Sequence, residues 1–222
     1  MTRRSRRLFT TATAGVTAAL LLGGCGGGDG DKSDSNGKIA GADTGASTST
    51  SPSASATAAE DAGRPKIALP SDVKLTFAPE STGDAVKDAI LKDNAEFIRA
   101  LDAAIVAQNP RLPALEYYTE GEGAVASQDW VQSFKKAGWT VTGTVRYVDR
   151  VVSVESKKTA SLTYCGDESK GYTKVIKTGV VEQTKVDKNS YVAYGVQVEK
   201  NDKGVWELVK IASTRGAAKC QP

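Results

Sequence analysis

The chain has 222 residues, 40% hydrophobic and 25% charged, with three cysteines and no histidine. Without imidazole it cannot build a Ser-His-Asp or Cys-His nucleophile, a histidine acid–base catalyst or most metal sites. Its +3 charge suggests an anionic partner, but Arg3, Arg4, Arg6 and Arg7 supply four of the 29 basic residues; the remaining 29 − 4 = 25 face 26 acidic ones, without a dense basic cluster or a nucleic-acid motif.

The chain opens "MTRRSRRLFTTATAGVTAALLLGGC". An arginine head, an uncharged stretch from Leu8 to Leu22 and then small residues make a secretory signal over residues 1–24. The apolar part is about 15 residues, short of the roughly 20 that span a bilayer. Arg6 and Arg7 in "SRRLF" resemble a twin-arginine export signal, with the Sec route left open. "LGGC" (Leu22, Gly23, Gly24, Cys25) resembles the lipobox of bacterial lipoproteins. The resemblance implies cleavage before Cys25, a diacylglycerol with palmitate-type chains on its thiol, and a lipid anchor on the extracytoplasmic face of the cell membrane. Each buried CH₂ adds about 0.8 kcal/mol to such an anchor, so the expected first partner is the bilayer.

Residues 25–64 are rich in Gly, Ser, Thr, Ala and Asp. Such a segment cannot offset its ordering entropy by burial and reads as a flexible linker with an r.m.s. reach of roughly 35 Å. "DGDKSDSNG" within it faintly resembles a calcium loop, but its glycine is misplaced and the twelfth-position glutamate is missing.

Residues 65–222 make one domain. "KIALPSDVKLTFAPE" reads as an extended lead-in with a short strand. Val86, Ile90, Phe97, Ile98, Leu101 and Ile105 recur at helical spacing and predict a helix over 83–108, capped by Ser81 or Thr82 and stopped by Asn109-Pro110. "RLPALEYYTEG" predicts a second, short helix. "GEG" at 121–123 reads as a helix-breaking turn. A third helix follows, with Ala126, Trp130, Phe134 and Ala137 on one face and Gly138 at its end. The period then becomes two. Val141, Gly143, Val145 and Tyr147 share a side, as do Ala160, Leu162 and Tyr164 in "TASLTYC", and Val192, Tyr194, Val196 and Val198. "YTKVIKTGVVEQTKV" is a further β-rich run, and the turn "NDKG" leads to "VWELVKIAST". Helices first and strands after predict an α+β domain, its N-terminal helices packed on an antiparallel sheet.

Cys165 and Cys220 lie about 55 residues apart. Outside the cytoplasm they are expected to form a disulfide, stabilising by about 2–4 kcal/mol, with two free thiols as the alternative. Two isolated cysteines without histidine do not make a zinc site.

A long helix, two short ones ending in "KKAGWTVTG", then antiparallel strands ending in "GVWELVKI" resemble the NTF2-like (cystatin-like, cone-shaped) superfamily. "LTYCGDES" and the terminal "KCQP" resemble NTF2-like lipoproteins of high-GC Gram-positive bacteria. The resemblance implies a curved sheet around the helices and a conical pocket. Enzymes of that superfamily often set an Asp base, a Tyr or a His inside the cone, and here the His is missing. Pairing through the sheet face would make a homodimer.

Candidate pocket residues are Trp130, Tyr147, Tyr164, Tyr194 and Trp206, with core packing as the competing role for each, as for Trp139. Asp149 either joins Tyr147 in the pocket or faces water at a strand end. Asp167 and Glu168 read as a turn beside the disulfide. No catalytic residue, metal ligand or cofactor is assigned. The expected function is a membrane-anchored, non-enzymatic module that binds an envelope protein or a small molecule. The alternatives are a structural spacer or assembly factor, and an isomerase- or hydratase-type enzyme using a carboxylate and a tyrosine.

Overall fold

The apolar stripe of "AVKDAILKDNAEFIRALDAAIV" forms helix α1, Ala85–Val106. The computed structural model describes residues 63–222. The export signal and Cys25 lie outside the described residues.

Asp84 caps α1, its carboxylate accepting from the backbone N–H of Val86 and Lys87. The expected caps, Ser81 and Thr82, bond instead to the Asp88 carboxylate in the first turn. An anion there also suits the helix dipole. Ile90, Leu91, Phe97, Ile98 and Ile105 are buried, each worth about 1.5–3 kcal/mol of transfer free energy. Val86, in the first turn, is exposed.

Helix α2 is a single turn, Pro113–Tyr117. Helix α3 runs Gly121–Ala137 and ends at Gly138 in the left-handed conformation. "GEG" therefore opens a helix and does not break one. Gly123 is needed inside it: a Cβ there would lie 2.4 Å from the Leu208 carbonyl oxygen, so only glycine lets α3 approach the sheet this closely. The face that α3 buries is Gly123, Ser127 and Val131, not the expected Ala126–Trp130–Phe134–Ala137 stripe.

Strand β1, Val73–Phe77, pairs with β2, Trp139–Val154. Strand β3 spans Thr159–Val175, β4 Val181–Glu182, β5 Tyr191–Lys200 and β6 Trp206–Arg215. The sheet order is β1-β2-β3-β5-β6, with β4 against β3. All pairings are antiparallel except β1–β2, which is parallel. The α+β class is as expected, with that one edge differing: the chain returns from β1 to β2 through all three helices, a crossover long enough for a parallel pair.

"TASLTYC" and "YTKV" are not separate strands. They are one, because the strand runs on through Asp167, which is opposite Arg146 on one side and Tyr191 on the other, and past the irregularity that follows it. Strand β2 is irregular, with register shifts at Thr144/Arg146 and at Val148/Val151. Gly143 sits at φ 92, and a Cβ on it would lie 2.2 Å from the Lys170 carbonyl oxygen. Asp149 has φ 53 and is exposed at the second irregularity. It faces water from mid-strand, not from a strand end. Such bulges bend a strand.

Cys165 and Cys220 form a disulfide with Cα atoms 5.4 Å apart. Successive strand residues alternate faces, so Cys165 points away from the core that Tyr164 enters, and the bond ties the C-terminal turn to the outside of the sheet. Trp206, 2% exposed, is the largest fully buried side chain. Its backbone N–H donates to Asp93 Oδ2 at 2.9 Å, and Asp93 also pairs with the Arg64 guanidinium. Among the described residues no helix is long and apolar enough to cross a membrane.

Candidate functional site

The helices do not fill the space above the sheet. A cavity of about 900 Å³ lies between the C-terminal half of α1, α3 and the face of the sheet formed by β1, β2, β3, β5 and β6. The α1 side contributes Phe97, Leu101, Asp102 and Ile105. Helix α3 adds Ala126, Trp130 and Phe134 from its one apolar face, with Phe134 also packed against the core. Val141, Val145 and Tyr147 line it from β2, as their shared side requires.

The five candidate pocket residues separate here. Trp130, Tyr147 and Tyr194 line the cavity. Tyr164 and Trp206 do not; each is 2% exposed and lies in the core. Tyr164 supports the site from behind, stacked on Tyr194 at 5.0 Å and edge-on to Tyr147 at 5.9 Å. Of the three tryptophans only Trp206 fills the core. Trp130 is 49% and Trp139 39% exposed, both at the cavity. Trp130 meets Phe134 edge-on at 5.4 Å. No candidate metal site appears among the described residues, which hold no group of three or more His, Cys, Asp or Glu.

The polar side of the cavity consists of residues that the sequence reading did not assign to it. Glu168 on β3 accepts from the Tyr194 hydroxyl at 3.1 Å and from Arg215 Nη1 at 2.7 Å. Arg215 also donates to the Asn189 carbonyl at 2.7 Å. Asp102 makes no hydrogen bond or ion pair among the described residues, and the half-buried surface it keeps lines the cavity. Burial, and then the charge of Glu168, push its carboxyl up to about 7. Burial first, then Asp102, hold the Tyr147 phenol well above its usual value. Tyr194 is raised by burial and by Glu168, and burial pushes Tyr164 up to about 12. The phenols are therefore neutral hydrogen-bond donors near neutral pH. Asp102 is the cavity group that exchanges a proton there.

One sequence signal marks Asp102. In "FIRALDAAI" it is the acid one residue after Leu101 and three before Ile105, inside the apolar arc of α1. Glu168 and Arg215 had no such signal, because their partners lie 26 and 47 residues away in the chain.

A second, smaller hollow of about 420 Å³ lies on the other side of α1, by Phe77, Glu96, Arg99 and Arg150. Arg99 and Arg150 place their guanidiniums 4.7 and 5.1 Å from the Phe77 ring centroid. Arg150 is 3% exposed and donates to Pro79 O, Leu91 O and Asn94 Oδ1. It clamps the lead into α1 against β2.

No family model matches the chain, and no curated protein sequence does. Among solved structures, a ketosteroid isomerase-like protein from Erwinia carotovora atroseptica is similar at 15% identity and TM-score 0.40, over 60% of this chain and 98% of that one. A putative scytalone dehydratase from Novosphingobium aromaticivorans matches at 12% identity and TM-score 0.33, over 58% of this chain and 91% of that one. The intermembrane space region of the chloroplast protein ARC6 matches at 10% identity and TM-score 0.35, over 61% of this chain and 99% of that one.

Proposed function

We propose that the domain of residues 65–222 binds a small, largely apolar molecule in the cavity under α1 and α3 and does not transform it, while acylated Cys25 holds the chain to the outer face of the cell membrane. The observation that carries this reading is the unfilled cavity of about 900 Å³, within the roughly 300–1,000 Å³ of small-molecule sites. Apolar and aromatic side chains of α1, α3 and β2 make much of its wall, and among the polar residues that share the lining Asp102, Glu168 and Arg215 are placed to orient a ligand. An envelope protein, the other expected partner, needs no such interior space. The anchor rests on "LGGC" at the end of an export signal, and the absence of histidine supports binding over catalysis.

One observation favours a second reading, an enzyme that moves a proton. Asp102, half-buried at the cavity that Tyr147 also lines and with its carboxyl pushed up to about 7, is a carboxylate of the kind a general base requires.

The test is a native mass spectrum of the protein gently extracted from its own membranes. The expected result is the acylated chain, two hydrogens light for the disulfide, carrying an extra mass of a few hundred daltons. Added mass in whole-protein steps would point to a protein partner or a homodimer instead. A bare acylated chain would count against a retained ligand.

A further inference from the structure

We infer that the cavity takes an organic cation, an apolar body bearing one protonated nitrogen that settles against Asp102. The inference rests on the cavity reading above and names its ligand class.

The argument is one of unmatched groups. The other charged groups of the cavity interior are paired: Glu168 holds both the Tyr194 hydroxyl and Arg215, and Arg215 is further held by Asn189. Asp102 is the one carboxylate of the cavity interior with no hydrogen-bond or ion-pair partner among the described residues; the Tyr147 hydroxyl also makes no hydrogen bond there, but it is a neutral group and brings no counter-charge. A half-buried carboxylate without a donor is costly, and a charge-assisted N–H···O bond is the strongest remedy.

The local field selects the sign of the ligand. The charge acting on Asp102 is the negative Glu168. The other titratable groups of the cavity interior are Tyr147 on β2 and Tyr194 on β5, both neutral, and Arg215 on β6, already paired with Glu168; Tyr172 on β3 also lines the cavity. Helix α3 contributes no charged group, only Trp130, Phe134 and small residues. Lys74 on β1 lines the cavity from an exposed position, and Lys185 and Asp187 are exposed at its edge. The interior is thus net negative, and a negative or zwitterionic ligand would meet repulsion at its centre. The rings of Tyr147, Tyr194, Phe134 and Trp130 line the same cavity, and a cation over an aromatic face gains a second attraction.

Two probes of one shape separate this inference from the cavity reading: 1-naphthylmethylamine, a cation below about pH 9, and 1-naphthalenemethanol, its neutral counterpart. Both are titrated into the full-length protein from pH 5 to pH 8. The amine is expected to bind at least about tenfold more tightly at pH 8 than at pH 5, as Asp102 ionises, while the alcohol changes little. Asp102→Asn, which keeps the shape, is expected to flatten the amine profile at its pH 5 level, whereas the alcohol, which carries no charge to pair, is expected to show little pH dependence in either protein. The wild-type pH profile needs no variant, so a folding defect in Asp102→Asn would not rescue the inference. Equal binding of amine and alcohol at every pH overturns the cationic ligand and spares the cavity. Binding of neither overturns both.

Discussion

Asp93 and Asp102 sit on the same helix, nine residues apart, and have opposite fates. Nine residues are about two and a half turns, so the two carboxylates leave α1 on opposite sides. Asp93 faces the packed end of the domain. There it accepts from the Trp206 backbone and pairs with Arg64, closing a core that includes Ile90, Leu91, Leu115 and Leu208. Asp102 faces the open end, where the sheet and α3 leave about 900 Å³ unfilled and no donor reaches it. The same residue type on the same helix is structural where its charge is matched and chemically available where it is not. The difference lies in what the neighbouring strands deliver: β6 starts at Trp206 and presents a free N–H to Asp93, whereas β3 presents Glu168 to Asp102.

The largest expected effect breaks the matched side. Asp93→Ala leaves the Trp206 N–H without its acceptor and Arg64 without its carboxylate. The expected loss is about 3–5 kcal/mol, read as a fall in the urea midpoint. The disulfide holds the open end from outside, through β3 next to Glu168. Reducing it, or replacing both Cys165 and Cys220 with Ser, is expected to cost about 2–4 kcal/mol in the same assay.

The third prediction sharpens the unmatched side and has the opposite sign. The folded pKa of Asp102, about 7, stands above the ordinary 3.8. Between those values the folded state binds more protons than the unfolded one, so stability is highest below about pH 4 and falls as pH rises toward 7. The full shift corresponds to at most about 4 kcal/mol, and cavity water reduces it. Asp102→Asn is therefore expected to raise the melting temperature by several degrees at pH 8 and by little at pH 4. A pH-independent shift would show that Asp102 is not unmatched. The smallest effect on stability belongs to Trp130→Ala. The residue is half-exposed, so the unfolding free energy from urea titration is expected to change by under about 0.5 kcal/mol, while affinity for 1-naphthalenemethanol falls several-fold.

Much of this contrast was legible in the sequence, up to the point where pairing partners decide. The apolar period of α1, the left-handed stop at Gly138 and the shared side of Val141, Val145 and Tyr147 are local properties, and periodicity reveals them. The parallel edge at β1 is not local, and neither is the unbroken length of β3. "CGDESKG" has turn composition, and it is strand because Arg146, Arg215 and Tyr194 from three other strands meet its acids. Glycine at 123 read as a helix breaker because the approach of Leu208 is a tertiary fact. The tryptophans were the hardest case. Spacing shows that Trp130 and Phe134 share a face, but not that the opposing sheet stands too far away to bury it.

The measurement that tests the central claim most directly is a fluorescence titration of 1-naphthalenemethanol into the wild-type protein and into Val141→Trp. Val141 lines the cavity from β2, and the larger ring occupies the space a ligand needs. The account predicts saturable one-to-one binding to the wild type, lost by at least about tenfold in a variant that still melts cooperatively. Equal binding to both proteins, or to neither, would contradict it.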